Sequence, residues 1–110
     1  MAIVTVPGVE HGFTRELTVS NSTFPIWTVT SGRIFKPLSL IVTNKSGDAI
    51  VEFYDSQSGA SGYIKLHLVV PATKTVVLHQ DELVGITFQS AVMAATNVSG
   101  TVVTIGGVEY

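Results

Sequence analysis

Three histidines, two adjoining acids and three Asn-x-Ser/Thr triplets are the residues of this chain whose types and spacing could do chemistry. His11, His67 and His79 invite a metal reading. Burial alone pairs the segments around Leu66 and Leu78 as a hairpin, with Leu68 opposite Val76. His67 and His79 then become diagonal neighbours on its solvent face, about 7 to 8 Å apart at Cβ. One ion could sit there with Asp81 or Glu82 as third ligand. No ligand-spacing motif supports this, and the expectation is two solvated histidines and no metal. Asp81 and Glu82 lie in HQDEL, and consecutive residues of an extended chain point opposite ways. Nothing beside them would separate their pKa values as paired-carboxylate chemistry requires. The nucleophile elbow GxSxG is missing, and SGASG at 58–62 has glycines without a following helix to form a phosphate cradle. DSQSG at 55–59 lacks the alternating acids of a calcium loop. Asn21, Asn44 and Asn97 head the triplets NST, NKS and NVS, which could accept sugars in a secreted chain. Asn, Ser and Thr also simply gather in turns. The expectation is a protein that is not an enzyme, with no catalytic residue and no cofactor.

Composition narrows the class. The chain has 110 residues and no cysteine, which fits one domain that needs no disulfide framework and offers no thiolate metal site. Net charge is −2 with 6 Lys and Arg, so the cations that grip phosphates are lacking and nucleic acid is excluded as the expected partner. No apolar run reaches the length of a membrane span, and MAIVTVPGVEHGF lacks the basic and apolar regions of an export signal. Charged residues are only 13% of the chain, against about 25% in an average soluble domain. Ser and Thr, about a fifth of the chain, fill the gap. A neutral, short-chained, β-branched surface costs little desolvation and little side-chain entropy when another protein covers it. Assembly is therefore expected.

Any site must be positioned by strands. Helical periodicity is nearly absent, while period-2 alternation bounded by Gly, Pro, Asn, Asp and Ser recurs along the chain. Strands are expected near 13–20, 24–30, 38–44, 49–55, 62–70, 74–79, 84–94 and 101–108. Eight strands fit an all-β, antiparallel two-sheet β-sandwich, with a jelly roll as one form of it. In LHLVVPATKTVVLHQDELVGITF, residues 66–88, Ile64, Leu66, Leu68 and Val70 are expected on one face, and Val76 and Leu78 face them after a turn at Pro71. Around NKSGD, a second hairpin would set Leu40 and Val42 against Phe53 and Val51. Residues 1–12 are expected to form an N-terminal arm of a single 1–110 domain, because Pro7 and Gly8 break the first apolar run.

The pieces LIVTNKSGDAIVEFYDSQSGASG, VVPATKTVVL and LVGITFQSAV resemble small virion proteins of tailed phages, of the head-decoration and accessory type. The resemblance covers about residues 38–95, and the glycine usual after Pro-Ala is Thr73 here. It implies a structural protein without enzymatic activity, located in the virion and in the host cytoplasm during assembly. It also implies a symmetric homo-oligomer, most often a trimer, attached to a capsid or tail protein. The contact would draw on apolar and β-branched faces and on strand edges pairing between copies. The residues expected in it are Trp27, Phe24, Ile26, Tyr63 and Val77, with Ile3 and Val4 in the arm. The alternative is a small carbohydrate-binding module, for which Trp27, Tyr54 and Tyr63 would have to form one aromatic platform.

Overall fold

Alternation along this chain produces strands and almost nothing else. The computed structural model describes residues 8–19, 25–56 and 64–110. The strands are β1 (Val9–Leu17), β2 (Trp27–Thr28), β3 (Phe35–Asn44), β4 (Ala49–Asp55), β5 (Ile64–Val70), β6 (Thr75–Leu78), β7 (Ala91–Thr96) and β8 (Thr101–Glu109). They form two antiparallel four-stranded sheets, ordered β1-β8-β3-β6 and β2-β7-β4-β5. Phe35, Leu40, Val42, Val103 and Ile105 from the first sheet and Val51, Phe53, Val70, Val92 and Ala94 from the second share one buried core. The two-sheet sandwich expected from the alternation is thus the observed architecture.

Both expected hairpins are corrected. β5 pairs with β4, Val51 facing Leu68 and Phe53 facing Leu66. β6 pairs with β3, Leu40 facing Leu78 and Val42 facing Val76. The inward residues are those expected, but each short connection carries the chain from one sheet to the other instead of turning it back beside itself. Alternation reports which face is buried and is silent about the partner. The two crossings are tied together at one end of the sandwich. Asn44, 1% exposed, donates from Nδ2 to the carbonyls of Gly47 at 2.6 Å and Val70 at 2.9 Å. Its Oδ1 accepts the Ser46 N–H at 3.0 Å, and Asp48 Oδ1 accepts the Ala72 N–H at 2.9 Å. Thr73 completes the second crossing at φ 64°, in the left-handed region that favours glycine.

Three further readings change. A register shift between Phe53 and Tyr54 sets Ile64 opposite Tyr54, so Ile64 leaves the core face expected for it and is exposed. The strand expected over 84–94 is observed only from Ala91 onward. Ahead of it run a short 3₁₀ turn, Gln80–Leu83, and an irregular stretch held by Phe35 and Phe88 exchanging backbone hydrogen bonds at 2.8 and 2.9 Å. Asp55 fixes that stretch, accepting the N–H groups of Gln89, Ser90 and Ala91. Lastly, residues 9–12 of the expected arm belong to β1 and pair with β8, while Ile3 and Val4 lie outside the described residues. In β3 the register skips Leu38, and the bulge brings the Lys36 carbonyl onto Gly107 so closely that no Cβ fits there.

Candidate functional site

The residues with chemistry in their side chains are dispersed by this fold. His67 is on β5 and His79 follows β6, so they belong to different sheets and the diagonal pair drawn by the hairpin register does not form. Among the described residues no three His, Asp or Glu side chains are grouped to hold a metal ion. Glu82 Oε1 accepts the His79 N–H at 3.0 Å and so closes the 3₁₀ turn locally. His67 instead meets Glu52, Nδ1 to Oε2 at 2.9 Å, and Tyr54 donates its hydroxyl to Glu52 Oε1 at 3.1 Å. The His67 hydrogen bond, then that of Tyr54, holds the Glu52 carboxyl below the usual carboxylate range. Burial, then the Glu52 carboxylate, pushes the Tyr54 phenol up. This exposed chain of polar contacts fixes side chains on the outer face of the second sheet. Of the sugar triplets, Asn44 is buried, Asn97 Oδ1 accepts the Ile50 N–H at 2.7 Å, and Asn21 lies outside the described residues.

What remains is surface, and it has two unlike sides. A two-sheet sandwich is open between its sheets along both lateral sides. Along one run β1 and β2, the end strands of their sheets. There Phe13 stacks on Trp27 with centroids 4.5 Å apart, and His11 lies against the same indole at 4.7 Å. Phe13, Phe35 and Phe88 continue the rings into the core. The Trp27 indole N–H donates to Glu109 Oε2 at 3.1 Å, and the Thr30 N–H donates to the same oxygen at 3.2 Å. Glu109 is only 4% exposed. Its carboxyl is held below the usual range by hydrogen bonds from Thr30, first its side chain and then its backbone, followed by Trp27 and the nearby His11, against the opposing effect of burial. Arg15 reaches the Pro25 carbonyl at 2.8 Å. This side is closed within the chain.

Along the other side run β5 and β6. Leu66, Leu68, Val76 and Leu78 line it half-buried, packed on the core with no strand among the described residues beyond them. Val69, opposite Ile50, is 63% exposed, and Val77, opposite Ile41, is 44% exposed. These aliphatic residues continue the open side onto both outer faces. The outer face of the first sheet adds to it. Thr14, Thr104, Ile41 and Val77 stand in one row across all four strands. Glu16, Val102, Thr43 and Thr75 form the next row, and Gly12, Gly106 and Ser39 a third across β1, β8 and β3. Within these rows the only charge is Glu16, on the edge strand.

Of the interface residues expected from sequence, Val77 is exposed on this face, while Ile26 and Trp27 are half-buried against the core. Phe24 and Tyr63 lie outside the described residues. Trp27 faces Val92 and so stands on the inner side of the second sheet, whereas Tyr54 is on its outer side. These two rings therefore share no platform. Sequence reasoning missed Glu109, His11 and Phe13 as the parts that seal one side. A signal was present: in TVVTIGGVE, Glu109 has the inward parity of Val103 and Ile105, so it needed a buried donor. Compared with known protein families and with curated proteins, the chain matches none.

Proposed function

We propose that the chain is a non-enzymatic structural protein of a tailed-phage type of virus particle, a decoration, capsid- or tail-associated component. It assembles with copies of itself into a symmetric homo-oligomer, a trimer for preference. The observation that carries this reading is the ion-poor skin that joins the outer face of β8, β3 and β6 to the uncovered aliphatic side of β5 and β6. Burying a Lys and Glu surface costs desolvation and rotamer entropy, whereas Thr, Val, Gly and Ser lose little of either. Apolar area removed from water then contributes roughly 25 cal/mol per Å² with little to oppose it. The resemblance over residues 38–95 supplies the virion setting. We read the order β1-β8-β3-β6 facing β2-β7-β4-β5 as a jelly roll, an arrangement that viral capsid domains use.

The reading is tested by sequencing outward from the gene, producing the chain together with any capsid or tail genes found there, and banding the particles on a density gradient. Co-banding at a fixed ratio to the major shell protein, retained through washing, is expected. A chain that stays at the top of the gradient while particles form without it overturns the role.

A further inference from the structure

We infer that the contact between copies is head-to-tail, with β5 of one copy docking beside β1 of the next; this rests on the self-assembly reading above. Each sheet has two end strands, and they differ in length. β2 has 2 residues and β6 has 4, which make short edges, whereas β1 has 9 and β5 has 7. Among the described residues no strand pairs with the outer side of β1 or of β5. The two long edges belong to opposite sheets and to opposite sides of the sandwich.

Charge says which edge meets which. In a chain this poor in ions, β1 presents Glu10 and Glu16 to solvent while its Arg15 reaches the Pro25 carbonyl, and β5 presents Lys65 beside His67, which Glu52 engages. An edge meeting its own copy would set like charges side by side. β5 against β1 sets Lys65 against a strand whose solvent face carries Glu10 and Glu16, with Leu66 and Leu68 turned inward on the same side as Phe13. Lys65 reaches Glu10 if the docked strands run parallel and Glu16 if they run antiparallel. Because the two contributing patches differ, the contact is heterologous and closes as a ring when the rotation per copy allows. That is the symmetry of a trimer, and both long edges of every copy are then covered.

The experiment is sedimentation velocity on the full chain and on charge-swapped variants, with circular dichroism confirming the fold of each. The wild type is expected to associate, and Lys65→Glu to raise its dissociation constant about tenfold at low salt. Adding Glu10→Lys or Glu16→Lys to Lys65→Glu is expected to recover most of that loss, and rescue by either one supports the inference. A wild type that associates while neither swap rescues, or while Lys65→Glu has no effect, overturns head-to-tail docking and leaves self-assembly standing. A wild type that stays monomeric throughout overturns both.

Discussion

The two open sides of this sandwich solve the same problem differently. On the β1 and β2 side, a gap between sheets is filled by Phe13, Trp27 and His11, and its polar atoms are paired by Glu109, Thr30 and Arg15. On the β5 and β6 side, the gap is lined by leucines and valines that stop half-buried. A buried hydrogen-bonded carboxylate fixes one geometry, since leaving its donors unpaired costs the full desolvation of each. Aliphatic side chains tolerate whatever apolar surface meets them. The comparison teaches that one gap is filled within the chain while the other is left for the second copy proposed above, so stability and assembly should separate by mutation.

The largest expected effect is on the closed side. Trp27→Ala removes two ring contacts and one of the donors to Glu109, and should lower unfolding free energy by about 3 kcal/mol in urea titration. Glu109→Leu leaves the Trp27 and Thr30 N–H groups without an acceptor, with a cost of about 2 kcal/mol in the same measurement. Acid should reveal the same carboxylate. Its folded pKa lies below its unfolded value, so its contribution is complete above the unfolded pKa and disappears as pH falls through the folded one. The melting temperature of the wild type should therefore fall more on acidification than that of Glu109→Gln, and equal falls would remove Glu109 as a source of acid sensitivity. Smaller and opposite in sign is Thr73→Gly, which relieves the left-handed backbone between β5 and β6 and should stabilise by about 1 kcal/mol. The smallest stability change is expected from Val69→Lys on the open side, within about 0.5 kcal/mol, yet association should drop sharply. If Val69→Lys unfolds the chain while Trp27→Ala is neutral, the two sides have been assigned the wrong way round.

Much of the fold was legible because burial imposes period 2 on every strand, and Leu40, Val42, Val51, Phe53, Leu66, Leu68, Val76 and Leu78 all face inward as the alternation requires. Partnership was not legible. NKSGD and PATK look like hairpin turns, and the difference between turning back and crossing to the other sheet rests on Asn44 and Asp48, whose bonds reach Val70 and Ala72 in a distant part of the chain. Ile64 was misplaced because a bulge changes parity without a glycine or proline to announce it. The surface was legible as a property, a skin poor in ions, and of the residues expected in a contact Val77 stands on it while Ile26 and Trp27 pack against the core. Trp27 is expected from sequence in a contact or an aromatic platform, but its indole N–H is held by Glu109, a partner 82 residues away.

Amide hydrogen exchange over a dilution series tests the contrast between the sides most directly. The Trp27 indole proton should be equally protected at every concentration, while those amides of Ile64–Val70 that point away from β4 should exchange slowly in concentrated solution and quickly once diluted. Protection of those β5 amides that does not change with concentration would contradict the claim that this side is completed by a second chain.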